Sequence, residues 1–400
     1  MNRIMVYKYL PYIVIIIFST TCYALFVNEL DYLQVFFMAL FMILFIAKFK
    51  YRKDDIYIYM IVFLQILSIL FTGVFNLSSF GYSLMFMFTY LYYKDAICRN
   101  SIELPNLINL LKYIIYAYAI VQTVQSVCVN VGLPAFNYYG VVENGIYRYN
   151  ALSNEPSHTS RICLILIVAY MYLWQIQNNT RYKIIRVLKE DKWLWLSYVY
   201  TLVMSTSAMA FLVLPFTFFF FIKARALAIY IPVFILVCFL AVIYIDIPSF
   251  VRIKELIPIL FTFDTDMIAL VDNSGSARIN PIIYYFEDFD VSSAKFWFGF
   301  GRGYSEPMLI ERVMGHPTDW VKGAGGVFPV YFYDFGLLAG LSFLLFLFHF
   351  CFSKNNKMFI FIWILFISSG SFNCYYQWLF ICLSYSCIFY GRHHSILYQK

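Results

Sequence analysis

Residues 154–175 read Asn-Glu-Pro-Ser-His-Thr-Ser-Arg-Ile-Cys-Leu-Ile-Leu-Ile-Val-Ala-Tyr-Met-Tyr-Leu-Trp-Gln. The stretch joins a short polar break to a run long and apolar enough to cross a bilayer, and that run holds a single charge, Arg161. A crossing helix needs about 20 predominantly apolar residues. Pro156 lacks a backbone N–H and suits the first turn of a helix, which places Glu155 at the entry and Ser157 and His158 in the opening turn. Arg161 then lies about one turn further in, near the face of His158. With Arg148, this makes an acid, an imidazole and two guanidinium groups within 14 residues. Charges set against a bilayer are costly and mark functional positions. A helix capped by Glu155 and paired to Arg161 would account for the acid, but not for a second arginine and a histidine.

The same texture extends in both directions. Hydrophobic residues make up 62% of the chain and charged residues 13%, with a mean hydropathy of +0.72. Soluble chains are typically about 45–50% apolar and about 25% charged, so the composition excludes a soluble globular protein. The net charge of +7 resides mostly in short loops between apolar runs. That placement is a topology signal and not a nucleic-acid surface. The nine cysteines, at 22, 98, 128, 163, 238, 351, 374, 382 and 387, fall mostly in apolar runs and form no CxxC pair. They read as small buried hydrophobes, without a disulfide or zinc framework.

Twelve spans are expected, over 9–27, 32–47, 56–73, 79–93, 110–132, 159–175, 191–205, 207–222, 226–246, 327–350, 358–372 and 376–391. The first has no small-residue cleavage pattern and reads as a retained helix. The seventh and eighth share one apolar run, divided at Ser205-Thr206-Ser207. Lys48 to Lys53, Arg181 to Lys192, Lys223 with Arg225, Lys354 with Lys357, and the tail from Arg392 to Lys400 are basic. With twelve spans these segments share one side with both termini, which the positive-inside rule makes cytoplasmic. The chain thereby divides into residues 1–246, holding nine spans and an outward segment 133–158; a large outward polar loop, 247–329; and residues 330–400, holding three spans and a cytoplasmic tail.

The outward segments carry the remaining candidates. Ser274-Gly275-Ser276-Ala277-Arg278 reads as a flexible turn that lets backbone approach a ligand, followed by a guanidinium fork suited to phosphate oxygens. Gly299-Phe300-Gly301-Arg302-Gly303 reads as a bent, compact loop, since it lacks the βαβ setting of a dinucleotide fingerprint. His316 and Trp320 follow in Gly315-His316-Pro317-Thr318-Asp319-Trp320. Tyr138, Tyr139, Tyr147, Tyr149 and Trp320 offer flat rings that stack on sugars, or anchor the chain at the interface. Asp264-Thr265-Asp266 is a minor metal candidate. No metal site and no cofactor are otherwise expected.

Asn154 to His158, entering a mid-chain span after an arginine, resembles the glutamate-proline-serine motif of Wzy-type O-antigen polymerases, whose architecture the O-antigen ligases share. Ser274 to Arg278, then Gly299 to Gly303, then His316, then Tyr333-Asp334-Phe335-Gly336-Leu337-Leu338-Ala339-Gly340 resemble further elements of that family in order. The matches cover about 40 positions. Thr318 and Asp319 stand where the family commonly has an asparagine, Asp334 where a glutamate often opens the tenth helix, and Asn150-Ala151 where a glycine is usual.

The resemblance implies an all-α, GT-C-like polytopic glycosyltransferase of the bacterial inner membrane. It implies that oligosaccharide repeat units carried on undecaprenyl diphosphate are joined at the periplasmic face. The expected partners are the lipid-linked donor and acceptor and the membrane lipid, with room for a chain-length regulator and none for nucleic acid. Arg278 is the first choice for the diphosphate, then Arg148 and Arg161, since fixed cations lower the barrier to a leaving group that gains negative charge. Glu155 or His316 orients or deprotonates the acceptor hydroxyl. Tyr147, His158 and Trp320 are sugar-binding candidates. An O-antigen ligase and a lipid-linked oligosaccharide flippase are the alternatives. A flippase would spread charge along several helices, whereas here it gathers in two outward segments.

Overall fold

The computed structural model describes residues 3–20, 32–47, 52–74, 76–137, 141–143, 146–221, 248–271, 273–288, 290–301, 303, 327–352 and 374–398, with isolated positions between 229 and 244. The expected span 358–372 and most of 226–246 lie outside the described residues, as do His316 and Trp320.

The described chain is mostly helical. In order it contains α1 (Arg3–Ser19), α2 (Tyr32–Ala47), α3 (Ile56–Thr72), α4 (Leu77–Cys98) and α5 (Leu104–Val131). A hairpin of β1 (Val141–Glu143) and β2 (Ile146–Arg148) follows, antiparallel, with Val142 opposite Tyr147. Then come α6 (Pro156–Asn178), α7 (Ile184–Lys189), α8 (Lys192–Ser205) and α9 (Ala208–Phe219). The rest comprises α10 (Pro248–Leu260), α11 (Thr265–Val271), α12 (Asn273–Glu287), α13 (Ala294–Phe298), α14 (Val327–Cys351) and α15 (Tyr375–Tyr398).

Among the described residues, four helical stretches are long and apolar enough to cross a membrane: Lys53–Thr72, Leu104–Val131, Pro156–Asn178 and Tyr331–Cys351. The expected hairpin between the seventh and eighth spans is present, because Thr206 adopts φ 41° and ends α8. Its two arms have only 14 and 12 residues. At 1.5 Å per residue they reach about 21 and 18 Å, short of a hydrocarbon core about 30 Å thick.

The described part of the outward segment 247–329 folds into α10, α11, α12 and α13. One expectation within it needs correction. Ser274 to Ala277 is not a flexible turn but lies in the first turns of α12. Ser276 and Asn280, one turn apart on that helix, are buried, and the Asn280 amide donates to the Thr265 carbonyl at 2.9 Å. The buried polar face therefore selects helix over the freedom Gly275 would allow. Asp264 caps α11, accepting from the N–H groups of Asp266 (3.1 Å) and Met267 (3.0 Å). That accounts for the Asp-x-Asp spacing by helix capping.

Burial sorts the helices by depth. α6 has 83% of its most apolar window buried, against 28% for the stretch containing α3. α6 packs on α5, α8, α9 and α15, and α15 also on α1, α4 and α14. The outer helices expose Phe63, Leu70 and Phe71 of α3 and Tyr113, Ile120 and Val127 of α5, as surfaces that face lipid do.

Charge divides the bundle end to end. α6 and α15 run parallel, with Arg161 against Tyr376 near their starts and Ile176 against Gly391 near their ends. At the far end Lys94 and Asp55 form a buried ion pair of 2.7 Å. Arg52 and Arg99 pair there with Asp95, and Asp54, His349 and Arg392 line one cavity. Asp191 gathers Tyr170, Tyr182, Arg186 and Lys112 at that end too. Burial pushes the Tyr182 phenol well above its usual range. Near the start of α6 the described cations are Arg148 and Arg161, with Arg252, Lys254, Arg278 and Lys295 on the separate α10–α13 segment.

Candidate functional site

The site forms where α5 ends, α6 begins, α8 ends and α15 begins. Its floor is residues 149–155, which cross the mouth of α6 without regular structure. Every backbone polar group there needs a partner, since none is supplied by a helix or sheet. Amide side chains supply many of them. Gln125 on α5 donates to the Phe136 carbonyl at 2.9 Å and accepts from the Ala151 N–H at 3.0 Å. Asn137 donates to the carbonyls of Ala151 (2.9 Å) and Ser153 (3.0 Å). Asn150 donates to the Asn137 carbonyl at 2.8 Å. One turn along, Gln122 donates to the carbonyls of Tyr149 and Thr201, both at 3.2 Å. Ala151 is held at φ 47° by this clamp, a conformation that costs a non-glycine residue about 1–3 kcal/mol.

α6 starts at Pro156, as its missing N–H favours, with Glu155 extended at the N-cap. The cap is unusual: the Glu155 side chain makes no capping bond. Ser153 and Thr159 share a hydrogen bond of 2.7 Å, and Ser153 also donates toward the Glu155 carbonyl. The Glu155 carboxylate is left to turn outward, 64% exposed, 3.8 Å from the His158 Nε2 and accepting from Ser157 at 3.2 Å.

Arg161 points inward. Its side chain is 1% exposed and donates to the Tyr376 hydroxyl at 3.4 Å, with the guanidinium 5.4 Å from that ring. No carboxylate pairs with it among the described residues, and its Nε has no hydrogen-bond partner there. The pairing of Glu155 with Arg161 that would make this a simple capped helix is therefore absent. The His158 ring lies 5.1 Å from the Tyr376 ring. Glu155, His158, Tyr376 and Arg161 thus form a graded path from the surface to a buried cation. An uncompensated guanidinium in a low-dielectric interior is costly, and an incoming anion offsets that cost.

Of the residues singled out in the sequence, Glu155, His158 and Arg161 meet here. Arg148 and Tyr147 stand on β2, the first half-buried and the second exposed, one and two residues before the clamped segment. Arg278 is carried by α12, which packs on α11 and α14. The glycine string docks elsewhere: Phe300 and Gly301 N–H groups donate to the carbonyls of Tyr333 and Asp334, and the Gly303 N–H donates to the Asp334 carboxylate at 3.1 Å. This closes on a break in α14 at Gly336, whose φ is 77°. Tyr333 donates to Asp288 at 3.1 Å, and Ser68 of α3 donates to the Asp334 carbonyl. Tyr376, Gln122, Gln125, Asn137 and Thr159 escaped the sequence reading. Two glutamines three residues apart in an apolar helix were the available signal, since such polar groups need buried partners.

No family model, no curated protein and no solved structure matches this chain.

Proposed function

We propose that this protein is a polytopic, GT-C-like glycosyltransferase of the bacterial inner membrane, with both termini cytoplasmic, that polymerises a surface polysaccharide such as O-antigen. The basic end of the bundle faces the cytoplasm, and the α6 mouth faces the periplasm. The observation that carries the reading is Arg161, a buried cation with no carboxylate paired to it among the described residues, behind an exposed acid and a half-buried imidazole at that mouth.

The donor is an oligosaccharide on undecaprenyl diphosphate, and the acceptor is a second lipid-linked repeat unit. The acceptor hydroxyl attacks the anomeric carbon as the bond from that carbon to the diphosphate oxygen breaks. Undecaprenyl diphosphate departs, and the hydroxyl proton passes to Glu155, backed by His158. Arg161 stabilises the charge that grows on the diphosphate. In this reading it replaces Arg278 as the first diphosphate ligand, with Arg148 and Arg278 contacting the same headgroup from outside. His316 remains the alternative base, and Tyr147 and Trp320 remain sugar contacts. The donor brings its own activating group, so the reaction needs no cofactor.

The test is the lipopolysaccharide of a smooth-type bacterium lacking this protein. Core bearing a single repeat unit supports a polymerase. Bare core with lipid-linked polymer accumulating makes it a ligase, and bare core without polymer makes it a flippase.

A further inference from the structure

At the basic end, α7 and the start of α8 present a strip that differs from the rest of the surface. Ile184, Ile185 and Leu188 share one face of α7 and are 55%, 57% and 70% exposed, and Trp193 at the start of α8 is 64% exposed. Interleaved with them are Lys183, Lys189 and Lys192, all exposed, and none has a carboxylate in ion-pair range among the described residues. The opposite face of α7 is fastened down. Arg186 stacks on Trp174 with its guanidinium 3.9 Å from the ring, and its Nε donates to the buried Asp191 at 2.9 Å. Val187 packs on the core. Glu190, the one nearby exposed acid among the described residues, is engaged by Arg186. The strip is thus held rigidly, with apolar and cationic side chains both pointing away from the protein.

We infer that α7 lies in the headgroup layer of the leaflet at this end and forms a binding site for anionic phospholipid. Its isoleucines and Leu188 enter the acyl boundary, while the three lysines extend their stems to the phosphates, as interfacial amphipathic helices do. Trp193 takes the interfacial position that tryptophan favours. Charge complementarity selects the occupant: three unneutralised lysines beside an apolar ridge fit a negatively charged bilayer surface. The inference needs only a membrane setting and is independent of the enzymatic reading.

The test uses the full-length protein in phosphatidylcholine nanodiscs, titrated with phosphatidylglycerol, reading bound lipid by native mass spectrometry and stabilisation by thermal unfolding. Each lysine near an anionic surface contributes about fivefold to binding. Lys183→Gln with Lys189→Gln and Lys192→Gln should therefore weaken phosphatidylglycerol binding on the order of a hundredfold. The corresponding triple arginine variant should bind like wild type. Inorganic phosphate should neither compete nor stabilise. Equal phosphatidylglycerol affinity in wild type and the glutamine triple overturns the inference, as does equal loss in the arginine triple. If the glutamine triple is not recovered folded, Lys189→Gln alone carries the test, with about fivefold loss expected and no loss overturning it.

Discussion

Arg161 makes an unusual demand on its surroundings: it is a guanidinium buried in an apolar bundle with a tyrosine hydroxyl as its polar contact. Breaking a buried ion pair costs about 3–5 kcal/mol, but removing a buried charge with no ion-pair partner among the described residues carries no such penalty. Arg161→Gln should therefore keep normal protein levels while abolishing chain extension, a loss on the order of a hundredfold or more if the group acts as an electrostatic stabiliser. Lipopolysaccharide banding beside an immunoblot checks both halves. Arg161→Lys should rescue little, because an ammonium cannot reproduce the planar fork. Glu155→Gln should reduce extension by about 10²–10⁴-fold with no stability change, given how exposed its carboxylate is. Wild-type chain length in Glu155→Gln would remove Glu155 from the chemistry and leave His316 as the candidate.

Between residues and the bundle stand elements whose shape depends on a few contacts. Gln125 satisfies both sides of the strained Ala151. Gln125→Leu should leave buried backbone groups unpaired, at about 1–3 kcal/mol, and shorten polysaccharide chains although Arg161 and Glu155 are intact. A lowered melting temperature together with altered banding is the expected pair of results. Gly299 shows a harder limit. A β-carbon there would lie 2.4 Å from the Asp334 carbonyl oxygen, at a φ of 84°. Gly299→Ala should therefore separate the loop from α14 and reduce the amount of folded protein. The Lys94–Asp55 pair behaves oppositely to Arg161: Lys94→Met alone should destabilise by about 3–5 kcal/mol, and adding Asp55→Leu should recover most of that, as thermal unfolding of the two variants would show.

Over the whole molecule, the ends carry different chemistry, and the proposed orientation follows from it. A cysteine replacing Glu155 should react with an impermeant maleimide in intact spheroplasts, and one replacing Lys189 only after the membrane is opened. The reverse pattern would invert the molecule. Much of this was legible in the sequence. Apolar run length marks where helices lie, because a backbone in lipid must satisfy its own hydrogen bonds, and Pro156 marked the start of α6. Charge sorting of the short loops was legible because lysine and arginine are costly to translocate. Ser274 to Ala277 was misread as a turn because the start of an amphipathic helix has loop-like average composition, and only burial of one face distinguishes it. What the chain alone could not determine is which charges are compensated. Glu155 and Arg161 are six residues apart, and their spacing allowed an ion pair. The clamp from α5 and the ring of Tyr376, 215 positions further along the chain, turn the carboxylate outward and the guanidinium inward. That separation arises from long-range packing, which local sequence does not encode.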